Sequence, residues 1–158
     1  MIRIIACGKV KKGWMKQGID EYAERIRPYD RIEVIEVADE KAPETNSPAE
    51  NEQVKNIEGE RILRQIRDDD YVILLDLAGR NLTSEALADH MEMLYNTSKN
   101  KIDFVIGGSL GLSRKLIERA DFRWKLSDAT FPHQLCRIVV LEQIYRSFRI
   151  RRNEPYHK

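Results

Sequence analysis

Five short apolar runs, each followed by a stretch of helical period, constrain this chain more than any other feature. The runs are Ile2–Cys7, Arg31–Val37, Tyr71–Leu77, residues 102–106 and Phe122–Leu126. Most stay apolar on successive positions, so both faces of each strand need cover, as in a parallel sheet; Arg31–Val37 alternates instead. The helical stretches are Trp14–Ile26, Ala49–Ile66, Ser84–Tyr95 with Thr83 or Ser84 as cap, a short helix from a Ser113 cap to Ala120, and a long one from Pro132 to about Arg152. The long helix carries Leu135, Ile138, Val139, Leu141, Tyr145 and Phe148 on its apolar side. Pro43, Asn46, Ser47 and Pro48 mark one loop, and Ala78-Gly79-Arg80-Asn81 turns the chain between the third strand and third helix. The expected fold is α/β, a single domain over residues 1–158 with a mainly parallel sheet and helices on both faces.

A chain of 158 residues suits one compact domain that buries about two-thirds of its unfolded surface. Hydrophobic residues at 42% and charged residues at 34% argue against disorder. The N-terminal apolar run is too short for a secretory signal, and no stretch approaches the roughly 18 apolar residues of a membrane span, so a cytoplasmic protein without a membrane partner is expected. Cys7 and Cys136 read as buried thiols and not as a disulfide. His133 lies one helical turn before Cys136, yet two ligands do not make a metal site, and no metal is expected.

In open parallel sheets ligands bind beyond the carboxyl ends of the strands. Three loops in the second half of the chain leave such ends: one after Leu75, one at Gly107–Gly111, and one at Leu126–Phe131. In the middle loop Gly107, Gly108 and Gly111 bare the backbone where the chain leaves the sheet. Their spacing, G-G-x-x-G, fits neither the dinucleotide fingerprint nor the P-loop, and by itself it is equally a tight strand-to-helix connection.

The net charge of +1 hides a segregation. Before Asp20 stand five bases, Arg3, Lys9, Lys11, Lys12 and Lys16, and no acid. Residues 39–60 carry seven acids against two lysines, and the C-terminal end is basic again through Arg146, Arg149, Arg151, Arg152 and Lys158. The two ends would suit an RNA backbone if they met; solvated charge on exposed faces is the plainer explanation.

Phe104-Val-Ile-Gly-Gly-Ser-x-Gly-Leu112, Leu126-Ser-x-x-Thr-Phe-Pro-His-Gln134, Arg137-Ile-Val-x-x-Glu-Gln-Ile-Tyr-Arg146 and Asn153-Glu-Pro-Tyr-His-Lys158 together closely resemble the RlmH (YbeA-like) family of bacterial 23S rRNA methyltransferases. The resemblance runs from Gly8-Lys9 through Asp39-Glu-Lys-Ala-Pro43 and Glu58-Gly-x-Arg61 to the last residue. It implies a SPOUT fold with a C-terminal trefoil knot, a homodimer, and S-adenosyl-L-methionine as cofactor. The implied reaction is methylation of N3 of a pseudouridine in 23S rRNA, on assembled ribosomes. By motif match the cofactor residues would be Leu75, Gly107, Gly108, Gly111 and the run Leu126, Ser127, Asp128, Ala129, Thr130 and Phe131. Ordinary core packing is the alternative for Leu75, Leu126 and Phe131.

Methyl transfer to an imide nitrogen needs alignment of donor and acceptor and help in losing the acceptor proton. Three histidines are present. His90 reads as a bystander on a surface helix. His133 opens the long helix, whose positive end favours a neutral imidazole, so it is either a base or adenine-side contact or an anchor for its loop. The resemblance suggests that Tyr156 and His157 fold over the acceptor, which makes His133, Tyr156 and His157 the active-site candidates and leaves the base unassigned. Arg146, Arg149, Arg151 and Arg152 could hold RNA phosphates or simply complement the helix end. An RNA-binding module without catalysis and a small-molecule transferase are the competing readings.

Overall fold

The computed structural model describes residues 1–45 and 47–158, so Asn46, expected in a loop, lies outside the described residues. Five strands form one sheet: β1 (Ile2–Cys7), β2 (Ile32–Val37), β3 (Tyr71–Asn81), β4 (Ile102–Ile106) and β5 (Phe122–Lys125), in the order β2-β1-β4-β3-β5. Every pairing is parallel. The helices are α1 (Gly13–Ile26), α2 (Pro48–Leu63), α3 (Ser84–Asn96), α4 (Arg114–Arg119) and α5 (His133–Arg151). Ser47 caps α2 through a capping box with Glu50, Thr83 caps α3 and Ser113 caps α4, each hydroxyl taking a backbone N–H that the first turn leaves free.

The period-two geometry of the strands splits the core into two layers. Ile2, Ile4, Ile73, Phe104, Ile106 and Trp124 face α1, α3 and α5, and Ile5, Cys7, Val72, Leu74 and Val105 face α2 and α4. Phe104 is fully buried with Trp124 edge-on at 6.1 Å between ring centroids. Helices therefore cover both faces, as strands apolar on both sides require.

Three expectations are corrected. Residues 78–81 do not form a turn between elements: β3 runs to Asn81, and its pairing with β5 jumps from Leu75 to Arg80, both opposite Trp124. The residues between leave the sheet as an excursion, because Asp76 holds the Ala78 N–H at 2.9 Å and takes Arg123 Nε at 2.6 Å. The buried stripe of α5 is Arg137, Val140, Leu141, Ile144, Tyr145 and Phe148, while Leu135, Ile138 and Val139 stay partly exposed. His90 is also less peripheral than expected, half-buried against Tyr71 and Phe122.

Candidate functional site

A parallel sheet sends every loop that follows a strand to the same edge. Along that edge the loops after β3, β4 and β5 enclose a cavity of about 760 Å³, within the range of cofactor pockets. The β3 excursion contributes Leu75, Asp76, Leu77 and Ala78; the glycine turn contributes Gly107, Gly108, Ser109, Gly111 and Leu112. The loop after β5 adds Leu126, Ser127, Ala129, Thr130, Phe131 and Pro132, and α5 adds His133 and Cys136.

The glycine turn is narrow because of what lies behind it. Gly111 adopts φ +106°, and its N–H donates to the Gly108 carbonyl at 3.2 Å. A Cβ on Gly107 would sit 2.6 Å from Leu112 Cδ2, and one on Gly108 would overlap the carboxylate of Glu58. Glu58 is buried on α2, and its Oε1 accepts the Glu40 N–H at 3.0 Å. Burial, with the Glu58 carboxylate close by, pushes the Cys7 thiol up to about 12, so it stays protonated.

His133 stands where the cavity meets the end of β1. Its Nε2 lies 3.6 Å from the point where a Cβ on Gly8 would be, with the side chain of Asp39 3.8 Å from the same point. Burial, then the Arg137 guanidinium, holds the imidazole below its ordinary value, and Glu58 and Asp39 oppose this more weakly. The ring is thus neutral near pH 7 and able to accept a proton. One turn along α5, Arg137 has no exposed surface. It donates to the Cys7 and Gly8 carbonyls, each at 2.7 Å, and to Glu36 at 2.9 Å, tying α5 to the last residues of β1.

The structure brings most of the expected cofactor residues together and separates them from the tail. Leu75, Gly107, Gly108, Gly111, Leu126, Ser127, Ala129, Thr130 and Phe131 line the cavity, as does His133. Asp128 does not; its carboxylate takes Lys125 Nζ at 2.5 Å on the exposed side of the loop. Tyr156 and His157 are also outside the cavity. The Tyr156 hydroxyl donates to Glu142 at 3.1 Å, and burial followed by Glu142 pushes it up to about 12. His157 sits 2.7 Å from Glu85 on α3, and Arg146 stacks 4.6 Å from the Tyr156 ring centroid. Glu142 is nine residues beyond His133, about 13 Å along the helix axis.

Each of the four C-terminal arginines is engaged within its own chain. Arg146 donates to Glu142 at 2.5 Å, Arg149 pairs with Glu154 at 3.0 Å, Arg151 lies over Tyr95 at 4.9 Å, and Arg152 lies over Tyr29 at 4.6 Å. Sequence reasoning missed Asp76, Leu77 and Ala78, whose only signal was the acid interrupting an apolar run. Glu58, Ile106 and Leu112 stood inside the family motifs but were not assigned to the site.

The family model described as "Predicted SPOUT methyltransferase" matches residues 1–157. The chain is 54% identical over 157 residues to the ribosomal RNA large subunit methyltransferase H of Carboxydothermus hydrogenoformans, covering 99% of both. It is 52% identical to the protein of the same name from Alkaliphilus oremlandii, again covering 99% of both. Among solved structures it resembles a probable methylase family protein from Haemophilus influenzae Rd KW20, with a TM-score of 0.55 at 16% identity, covering 99% of this chain and 70% of that one. A probable methyltransferase from Bordetella pertussis Tohama I gives a TM-score of 0.55 at 13% identity, covering 92% of this chain and 95% of that one. These two structures bear on the fold alone.

Proposed function

The chain belongs to the SPOUT methyltransferase family, and from that premise we propose that it methylates 23S rRNA of the large ribosomal subunit, at N3 of a pseudouridine, with S-adenosyl-L-methionine as donor. The supporting observation is the convergence of three strand-end loops on one cavity, in a chain that matches named rRNA methyltransferases from end to end. The cavity suits the donor chemically: Leu75, Ile106, Leu112 and Leu126 give apolar walls for an adenosyl group, and the glycine turn offers backbone groups at its rim. When bound, the donor supplies an electrophilic methyl group.

The residues then have separate tasks. The three loops hold and orient the donor, which turns a bimolecular encounter into a positioned one. Neutral His133 borders the cavity and can take or relay a proton there. Tyr156 and His157 do not line their own chain's cavity and are held by Glu142 and Glu85 instead. Their assignment to the acceptor therefore stands together with a homodimer, in which a second copy presents its tail to this cavity. Arg146 holds that tail in place through Tyr156 and His157. A trefoil knot fits the path of the C-terminal segment, which leaves the β5 edge, crosses the strand ends and packs α5 on α1, with Arg137 gripping the carbonyls that close β1.

Incubating the purified protein with labelled S-adenosylmethionine and ribosomes from cells lacking this modification tests the proposal. Nucleoside mass spectrometry of the 23S rRNA should show a methylated pseudouridine. Salt-dependent ribosome binding with no methylated nucleoside would instead support a binding module, and activity on a free metabolite alone would support a small-molecule transferase.

A further inference from the structure

The connection from β1 to α1, with the start of α1, presents positive charge that no carboxylate among the described residues pairs. Lys9, Lys11, Lys12 and Lys16 are all exposed. Lys55, Lys101, Lys115 and Lys125 each have a carboxylate partner, but among the described residues Lys9, Lys11, Lys12 and Lys16 have none. No acid occurs in the sequence before Asp20. The nearest carboxylates from the neighbouring strand are occupied or turned elsewhere: Glu36 takes the Val10 N–H and Arg137, and Asp39 lies beside Gly8 and His133.

The fold puts this charge beside the cavity. β1 is the direct neighbour of β4, so the loop after Cys7 leaves the sheet next to the glycine turn. Gly8 adopts φ +85°, packs near His133 and is held through its carbonyl by Arg137, which fixes where the lysine segment departs. The C-terminal arginines face a different situation, since each already has an anionic or aromatic partner. An unpaired ammonium group that neutralises an RNA phosphate frees the counterions condensed there, whereas Arg146 and Arg149 would first have to leave their carboxylates.

We propose that residues 9–16 form the surface that grips the rRNA sugar-phosphate backbone flanking the target, with Lys9, Lys11, Lys12 and Lys16 as the phosphate contacts. This rests on the rRNA methyltransferase reading and names its RNA-docking face. The contacts are electrostatic and carry no base readout, so they set affinity and register and leave selection of the base to the cavity.

The test compares wild-type protein with the triple variant Lys11→Ala/Lys12→Ala/Lys16→Ala in binding to unmodified ribosomes over a range of salt concentrations. A charge-removal control, Lys99→Ala/Lys101→Ala, lies at the opposite edge of the sheet. The triple variant should bind about tenfold or more weakly near physiological salt, and its slope of log affinity against log salt should shrink by roughly 0.7 to 0.9 for each lysine removed. Its affinity for S-adenosylmethionine by calorimetry should stay at the wild-type value, because these side chains do not border the cavity. Wild-type affinity and slope in the triple variant, or an equal loss in the control pair, would overturn the inference. If wild-type protein fails to methylate ribosomes at all, the functional reading fails instead.

Discussion

Gly108 has no room for a side chain, because the buried carboxylate of Glu58 on α2 stands directly behind it. Gly108→Ala should therefore push the turn into the cavity and weaken S-adenosylmethionine binding by about tenfold or more, with the fold retained by circular dichroism; unchanged affinity by calorimetry would free the turn from this role. The sequence showed that backbone is bare at this turn. It could not show why, since Glu58 lies fifty residues upstream and reaches the turn only through the packing of α2 on the sheet. His133 was legible as a neutral imidazole, but burial is the larger cause, with Arg137 second. Burial likewise holds His90 below its ordinary value. Between that lowered value and the ordinary 6.5, the unfolded chain binds more protons than the folded one, so stability falls as pH drops through this window and levels off below it. Melting temperature should decline as pH falls through 6.5 and then level off, and the double variant His90→Gln/His133→Gln should show a flatter profile.

At the level of elements, α5 is joined to the sheet by a charged residue with no exposed surface. Arg137 closes the ends of β1 by satisfying two carbonyls and pairs with Glu36. Arg137→Met should lower stability by about 2–4 kcal/mol in urea unfolding, since the carbonyls and Glu36 lose their partner while the volume is kept. It should also loosen His133 one turn away. Strands and helices were readable from period alone, and their boundaries fall within a few residues of expectation. The exceptions have physical causes. The stripe of α5 was misplaced because the helix is apolar on more than one side, so spacing alone could not say which side meets the sheet. The β3 excursion was read as a turn because Gly79 and Asn81 are turn formers, yet Arg80 and Asn81 return to pair with β5.

For the whole molecule, parallel topology and two-sided cover followed from alternating strands and helices, whereas the strand order did not, because no local pattern says which strands become neighbours. The separation of the tail from the cavity was equally invisible, being a matter of where α5 carries the chain. It yields a mixing experiment. At low S-adenosylmethionine, a chain lacking residues 156–158 and a Gly108→Ala chain should each be strongly impaired, but if the proposed homodimer forms, refolding them together should recover part of the methylation of 23S rRNA, because one intact cavity then meets one intact tail. No recovery would confine both parts to one subunit, and full activity of the truncated chain alone would remove the tail from the reaction. A further consequence comes from the far edge of the sheet. There Arg3, buried, bonds Asp103 at 2.6 and 2.8 Å and also bonds Asp70, all at the amino ends of the strands. One rim thus carries this ionic cluster, and the opposite rim carries the candidate site with Arg137 beneath it. Random mutagenesis should sort accordingly, with losses of expression clustering at the Arg3 cluster and at Arg137, and losses of turnover in well-folded protein among the loops of the other rim, so that a new acceptor preference could evolve in those loops without endangering the scaffold.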